Sequence, residues 1–387
     1  MKNPLISCIV PYFNSEKYIA ECITSLLNLS YDPLEIILID DSSTDHSNQI
    51  VSDIICDNSN RNIKFIHIRN TTNRGISYSK NQGIKVMNGD FFFFTGSDDV
   101  VLPNRISEPI SYLELNPNVD IVYSDIEIWH QSKGKKVKRG FPEEMTNQNA
   151  FLYQLKRSYF WSGVLFARRS ATQEFDDTLS SAVDYDWYFR HFLKGTSIHF
   201  INSSLASYRM HSRNSSKNLS KSKKNVCNIL RKFDFNDVYR LFCNDPNIDN
   251  NELNLSFAWY HFTIGEYQEA LWKIAHINTS FEKKFLEGVV FAYMKNYTKA
   301  YECFSHIYQE NPEIPESLNN LSVCMVFNSE NTNTVKKHLM RATQLNPNYL
   351  DARANLELVQ KTNFNHLKLK ITDRPLRKIL THIDNYN

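Results

Sequence analysis

Within the first 95 residues, strand-length apolar runs alternate with helix-patterned segments, and this alternation restricts the fold more than any other feature. The runs are 5-LISCIVP-11, 34-LEIILID-40, 63-IKFIHIR-69 and 91-FFFFT-95. Between them, 15-SEKYIAECITSLLNLS-30 places Ile19, Ile23, Leu26 and Leu27 on one helical face, with Ser15 and Glu16 suited to its start. The segment 45-DHSNQIVSDIICDN-58 reads as a helix with Asp45 as N-cap, and 77-SYSKNQGIKVMN-88 as another. Strand, helix, strand, helix at this spacing implies a mostly parallel sheet covered on both faces. Ligands of such sheets sit beyond the carboxyl ends of the strands. Pro11 to Asn14, Asp40 to Ser43 and Gly96 to Asp99 therefore fall on one rim.

At 387 residues the chain exceeds one ordinary core, and two or more domains are expected. From about residue 119 the pattern changes. 119-VDIVYSDIEIW-129 and 160-FWSGVLFARR-169 read as strands, and 184-DYDWYFRHFLKG-195 as a helix ended by Gly195. 198-IHFINSSLASYRMH-211 reads as extended chain. 131-QSKGKKVKRG-140 is a basic loop whose 133-KGKKVKR-139 suits a solvated hairpin or an anionic surface. The polar, basic stretch 212-SRNSSKNLSKSKKN-225 reads as a linker or mobile loop. The C-terminal part is helical with a weak repeat: 265-GEYQEAL-271 matches 295-KNYTKAY-301, and 311-NP-312 recurs as 346-NP-347. Gly288, Tyr297, Ala300, Phe304 and Pro312 fall at the offsets of a tetratricopeptide repeat; Leu318, Leu321, Leu339, Ala342 and Pro347 fit a second copy. The copies run roughly over 255–278, 281–312 and 315–347, with a capping helix from about 350.

A hydrophobic content of 42% with 22% charged residues excludes a disordered chain, and a net charge of +2 argues against nucleic-acid binding. The seven cysteines are scattered without CxxC spacing, as expected of reduced core residues in an intracellular protein. No stretch approaches the ~20 apolar residues that span a bilayer, so a cytoplasmic location is expected, with peripheral attachment to the inner membrane face left open.

Acidic clusters follow two of the buried strands, 40-DDSSTD-45 and 98-DD-99, and a third, 184-DYD-186, opens a helix. Adjacent carboxylates at the mouth of a core require a cation or hydrogen bonds. A divalent cation shared with phosphate oxygens would explain them, and a nucleotide diphosphate is the natural phosphate donor.

The segments 7-SCIVPYFNSEKYIAECITSLLNLSYDPLEIILIDDSSTD-45, 73-NRGISYSKNQGI-84, 89-GDFFFFTGSDD-99, 161-WSGVLFARR-169, 184-DYDWYFR-190 and 208-YRMHSRNSS-216 together resemble the inverting family 2 glycosyltransferases, which have the GT-A fold. The resemblance covers about residues 4–215. It implies a Rossmann-like α/β GT-A catalytic domain over 1–215, then a linker with connecting helices over 216–250 and an all-α tetratricopeptide-like domain over 251–387. It further implies that Pro11, Tyr12, Phe13 and Asn14 line a base and ribose pocket, with Asp41 bonding the nucleobase. Asn73, Gly75 and Lys80 would close over the nucleotide, with Lys80 standing where the family usually has Arg. Asp98 and Asp99 fall on the metal-binding acidic motif, with Asp98 also facing the donor, and His211 matches a closing-loop histidine that reaches metal or diphosphate. Asp184 aligns with the general base, with Asp186 as the alternative. Two positions depart from the pattern: Gly96 replaces a usual Asp, and Val183 replaces a usual Glu.

The implied activity is transfer of a sugar from a nucleotide-sugar, with UDP-sugar as the expected donor, to a hydroxyl of a glycan, lipid-linked or protein acceptor, with Mn²⁺ or Mg²⁺ as cofactor. An inverting transfer is one displacement, so a carboxylate must lie within ~3 Å of the acceptor hydroxyl as it attacks. The repeats would bind a protein partner or another copy of the chain. The rival reading, prompted by Gly96 and Val183, is a weak or inactive transferase-like scaffold working through its repeats. Nucleotidyl transfer would want a Gly-rich phosphate loop, which 9-IVPYFNSEKY-18 lacks. Asp40 is as well suited to ending its strand as to a site; His67, His199, Trp161 and Trp187 read as structural.

Overall fold

The computed structural model describes residues 3–59, 62–130, 134–139, 141–211, 219–347, 349–361 and 365–374. The chain divides into two compact units, Met1–Lys232 and Phe233–Asn387.

The first unit is built on a mixed sheet. Strands β1 (Ile6–Tyr12), β2 (Leu34–Asp40), β3 (Ile63–Arg69) and β4 (Phe91–Phe94) lie in the order β3-β2-β1-β4, all parallel. Helices α1 (Ile19–Leu27), α2 (Ser47–Asp57) and α3 (Ile76–Val86) make the connections. Every residue of β1, β2 and β4 is buried, because central strands covered on both faces have no solvent side, whereas edge strand β3 is half exposed. Beyond β4 the sheet loses its parallel character. The remaining strands are β5 (Val100–Val101), β6 (Ile121–His130), β7 (Lys135–Arg139), β8 (Leu165–Arg168) and β9 (Ile198–Met210). β8 runs antiparallel to both β4 and β6, β9 parallel to β6, and β7 forms a hairpin with β6. Helices α4 (Ser107–Leu115), α5 (Ala150–Lys156) and α6 (Val183–Leu193) complete this half. Gly195, at φ +77, supplies the left-handed turn expected after α6.

Two expectations are corrected in position. The run 160–169 is a strand only over Leu165–Arg168, since Ser162–Val164 forms a 3-10 turn. The buried guanidinium of Arg105 holds that turn by donating to the Gly163 and Leu165 carbonyls at 3.3 and 2.8 Å. In the stretch expected to be a loop over 212–225, residues 212–218 lie outside the described residues, but helix α7 (Leu219–Arg231) covers the rest. Composition concealed it because, among the described residues, its fully buried side chains, Ile229 and Leu230, lie beyond that stretch. Asn225 Nδ2 donates to Ser181 Oγ at 2.9 Å and Lys232 Nζ to Asp176 at 2.7 Å, so α7 packs on the first unit. Of the basic loop, residues 131–133 and 140 lie outside the described residues.

The second unit is helical: α8 (Asn236–Cys243), α9 (Asn250–Ile264), α10 (Tyr267–Ala275), α11 (Phe281–Tyr293), α12 (Tyr297–Glu310), α13 (Pro315–Phe327), α14 (Thr332–Leu345) and α15 (Leu350–Val359). Asp249, Ser280, Asn296 and Asn331 cap α9, α11, α12 and α14 with side-chain oxygens, and Pro315 opens α13. Ala270, Ala300 and Ala342 are fully buried, and a Cβ on Gly288 would lie 2.8 Å from Phe304 Cζ. Small residues thus set the spacing between α11 and α12.

Candidate active site

The rim beyond β1, β2 and β4 is assembled by hydrogen bonds between loops. The backbone N–H of Asn14 donates to Ser43 Oγ at 3.0 Å, and Asn14 Oδ1 accepts from the Thr44 N–H at 2.8 Å. Ser15 N–H donates to Ser47 Oγ at 2.7 Å, and Ser15 Oγ lies 2.7 Å from Ser97 Oγ. The loops after β1, β2 and β4 are thereby one bonded ledge. Pro11 and Tyr12 are buried within it, with Tyr12 Oη 2.7 Å from His67 Nε2, while the Phe13 ring is 45% exposed on the rim. His67 is accordingly structural, as is His199, whose Nδ1 lies 2.9 Å from Tyr112 Oη.

Asp40 and Asp41 both look inward. Asp40 accepts from the Ser43 N–H at 2.7 Å and pairs with Arg69 at 3.2 Å. Asp41 is buried and accepts from Asn70 Nδ2, the Arg74 N–H and the Gly75 N–H at 2.8, 2.9 and 2.7 Å. It thus ties the 73–75 loop to the end of β2. Gly75, at φ +89, opens α3, and Asn73 is exposed beside it. Asp45, the expected N-cap of α2, stands one residue ahead of that position, which His46 takes; it accepts from the Ser47 N–H at 3.0 Å and the Glu16 N–H at 3.2 Å.

The acidic pair after β4 folds back over Gly96. A Cβ built on Gly96 would stand 2.7 Å from Asp99 Oδ2 and 2.9 Å from Asp98 Oδ1, so these oxygens occupy the space a side chain would take. Arg209, at the end of β9 and fully buried, secures the pair. Its N–H donates to Asp99 Oδ1 at 3.0 Å, its Nε to the Asp98 carbonyl at 2.8 Å, and its guanidinium to Glu21 at 2.6 Å. The same guanidinium lies 4.1 Å from the centre of the Trp129 ring. His211 Nε2 is 2.8 Å from Asp98 Oδ2, and its ring stacks on Tyr18 at 4.6 Å. Burial and then the neighbouring Asp98 charge push the Asp99 carboxyl well above the usual carboxylate range, with Arg209 opposing both.

Among the described residues, no three His, Cys, Asp or Glu side chains converge so as to hold a metal ion unaided. The donor set still suits a hard divalent cation. Asp98 Oδ1 and Asp99 Oδ2 face a common space over Gly96, and such a cation takes its remaining ligands from phosphate and water.

Asp184 lies in the first turn of α6, after Ala182 in the left-handed conformation at φ +58. Its Oδ1 is 3.0 Å from Lys80 Nζ. Lys80 is buried and also donates to Ser162 Oγ at 2.6 Å; its ammonium lies 4.5 and 5.5 Å from the ring centres of Phe175 and Phe94. Through Phe94 the pair adjoins β4, whose end carries the acids. Asp186 is buried and bonded to Arg190 Nε at 2.7 Å, whereas Asp184 keeps 27% of its side chain exposed. Trp187 is buried against Phe175. The structure therefore brings Lys80 to Asp184 rather than to the 73–75 loop. Sequence reasoning missed Ser162 and Arg209 as partners, although both lie in quoted segments, 161-WSG and 208-YRMH.

Among the described residues no helix is long and apolar enough to cross a membrane.

Residues 7–175 match the family model Glycosyl transferase family 2. An uncharacterized glycosyltransferase of Rickettsia felis is 30% identical over 234 residues, covering 59% of this chain and 37% of that protein. One of Rickettsia prowazekii, RP339, is 31% identical over 219 residues, covering 54% of this chain and 65% of that protein. The crystal structure of Staphylococcus aureus TarS 1–349 in complex with UDP-GlcNAc superposes with a TM-score of 0.51 at 16% identity, covering 96% of this chain and 98% of that one. At that identity the likeness is one of fold. Together with the sheet order and the acidic rim, these likenesses support a glycosyltransferase family 2 region over residues 7–175, within a mixed α/β domain like that of the GT-A glycosyltransferases.

Proposed function

We propose that the chain is an inverting glycosyltransferase that takes a sugar from a nucleotide-sugar, a UDP-sugar by preference, and needs a divalent cation. The observation that carries this reading is the convergence of Asp98 Oδ1 and Asp99 Oδ2 over Gly96 at the end of the central strand β4. In this reading Phe13 offers the exposed ring face of the nucleotide pocket, with Pro11, Tyr12 and Asn14 forming its floor. Asp41 shapes the pocket by holding the Asn73–Gly75 loop, and its remaining lone pairs meet the base. Asp98, Asp99 and His211 would hold Mn²⁺ or Mg²⁺, which when bound offsets the charge of the leaving diphosphate.

Asp184 accepts the acceptor hydroxyl proton at Oδ1 or Oδ2 as the hydroxyl attacks. Lys80 and Ser162 fix the rotamer of that carboxylate, and the ring faces of Phe94 and Phe175 keep water from the ammonium. Asp186, bonded to Arg190, orients α6 instead. The acceptor is a hydroxyl of a glycan, lipid-linked or protein substrate. The second unit is read as a tetratricopeptide-like array, supported by the close approach at Gly288 and the buried Ala270, Ala300 and Ala342.

The test is transfer or donor hydrolysis with and without Mn²⁺, comparing the wild type with Asp184→Asn and Asp99→Ala. Full activity of both variants would remove the assigned roles.

A further inference from the structure

Asp184 follows a loop whose shape packing does not fix. Phe175 and Val183 are buried, and none of residues 176–182 between them is. Such a loop takes its shape from polar contacts and backbone preference. At its last residue that preference is overridden. Ala182 is left-handed, at φ +58, a conformation that is costly for a residue with a Cβ and persists only where neighbours impose it. The Ala182 carbonyl accepts from the Tyr185 and Asp186 N–H groups at 3.1 and 3.3 Å. This residue therefore aims the first turn of α6, and with it Asp184. Alanine has no side chain with which to cap that turn.

The contacts that impose it come from two helices. On α3, Asn81 is buried and fixes Phe175, its Oδ1 accepting from the Phe175 N–H at 2.8 Å and its Nδ2 donating to the carbonyl at 2.9 Å. That holds the loop where it begins, on the helix that carries Lys80. On α7, Asn225 Nδ2 donates to Ser181 Oγ at 2.9 Å and to the Ser181 carbonyl at 3.3 Å, one residue before Ala182. Lys232, just beyond α7, donates to Asp176 at 2.7 Å and lies 3.9 Å from Asp186 Oδ1. One ammonium thus joins the first residue of the loop to the first turn of α6. The other Asp186 oxygen takes Arg190 Nε at 2.7 Å, so Asp186 is held from both sides. Neither Asn225 nor Lys232 is buried, whereas Ile229 and Leu230 seat α7 by being fully buried. The two polar contacts therefore serve the loop rather than the seating of the helix.

We infer that Asn225 and Lys232 are positioning residues for sugar transfer. From α7 they hold loop 176–182 in the shape that brings Asp184 to Lys80 and leaves the exposed side of its carboxylate to the acceptor. The inference rests on the reading of Asp184 as general base. A base must lie within hydrogen-bond reach of the attacking hydroxyl, and a displacement of about 1 Å costs up to about 100-fold in rate. Both residues act through the loop, so their removal should slow the chemical step without weakening the hold on the nucleotide.

The experiment uses the full chain with Asn225→Ala and, separately, Lys232→Met. Both keep Ile229 and Leu230, so the unfolding transition should be retained; Lys232→Met carries the test should Asn225→Ala fail to fold. Amide hydrogen exchange over 176–186 should run roughly tenfold faster in each variant, with β1 and β2 unchanged. Hydrolysis of UDP-glucose and of UDP-N-acetylglucosamine, each with Mn²⁺, gives the kinetic reading. There kcat should fall about 10–100-fold, with the donor KM and UDP affinity within about twofold of wild type. Lys232→Arg, which keeps the charge, should restore both readouts. Adding Asn225→Ala to Asp184→Asn should slow the reaction no further than Asp184→Asn alone, because the asparagine acts through the base. Unchanged exchange over 176–186, a raised donor KM at unchanged kcat, or losses that multiply in the double variant would each overturn the inference. Full activity of Asp184→Asn alone would remove the base reading and the positioning role with it. A slow Asp184→Asn beside wild-type rates in Asn225→Ala and Lys232→Met would remove the positioning role and leave the base reading standing.

Discussion

The Lys80 ammonium lies 3.0 Å from Asp184 Oδ1, across 104 residues of sequence, and the two partners are unequally solvated. The lysine side chain is 5% exposed and the carboxylate 27%. Removing the carboxylate charge leaves a buried ammonium with Ser162 and two ring faces. Removing the ammonium leaves a carboxylate that water reaches. Asp184→Asn is therefore expected to cost about 1.5–3 kcal/mol of stability, and Lys80→Met less than about 1 kcal/mol. Urea denaturation of the two variants checks the order; a larger loss for Lys80→Met would refute the asymmetry.

On transfer, Asp184→Asn should lower the rate by about 10²–10⁴ while leaving nucleotide affinity unchanged, as general-base removal does. Steady-state rates paired with UDP calorimetry separate this outcome from a folding defect. Weakened UDP binding in Asp184→Asn would move the residue to the donor pocket.

Gly96→Ala places a methyl group 2.7 Å from Asp99 Oδ2 and 2.9 Å from Asp98 Oδ1, distances that no Cβ tolerates. The two acids must then separate. Mn²⁺ affinity in the presence of UDP should fall roughly 10–100-fold, as with other displaced metal-site contacts. Calorimetric titration measures it, and an unchanged affinity would detach the pair from metal binding.

His191 supplies the clearest pH dependence. It is 2% exposed, its ring is 3.8 Å centre to centre from Trp187, and burial followed by Arg190 and Lys194 lowers its pKa from 6.5 to about 3. Between those values the unfolded chain carries a proton that the folded chain does not. Stability is therefore fully present above pH 6.5 and is lost as pH falls toward 3. The loss is of order a few kcal/mol. His191→Gln should flatten the curve of unfolding free energy against pH over that window, and an equally steep curve would exclude the histidine as its source.

In the helical unit, Gly288→Ala sets helix propensity against packing. Alanine gains about 1 kcal/mol in a helix interior. Its methyl would meet Phe304 Cζ at 2.8 Å and Cys303 Cβ at 3.1 Å, where a fully buried ring cannot swing aside. Overpacking of this kind costs about 1–3 kcal/mol, so a lower Tm is expected. A raised Tm would show that α11 and α12 are free to move apart.

The alternation of the first 95 residues led to the parallel strands and the rim because period and length are local properties, whereas the order β3-β2-β1-β4 came only from the fold. The acids after β4 were legible for the same reason: a buried strand that runs into two charges is anomalous on its face. Lys80 was not legible as the partner of Asp184, since nothing in 77-SYSKNQG-83 records what packs on α3 from residues 162 and 184. Arg209 likewise read as one polar residue in an extended run, and only the fold shows that it is fully buried behind Asp98 and Asp99. Helix α7 escaped because composition reports solvation, and a helix whose side chains over 222–228 are exposed or half-buried looks like a loop.

The glycine at position 96, where a third acid would stand, bears on how long a cation would stay. On the proposed reading Asp98, Asp99 and His211 would leave about half of a six-ligand sphere to diphosphate and water. A site so sparsely furnished by the protein would hold the ion chiefly while the nucleotide is bound. The purified protein would then be metal-poor, quickly silenced by a chelator and restored by added salt, so that its working rate follows the free cation concentration of its surroundings.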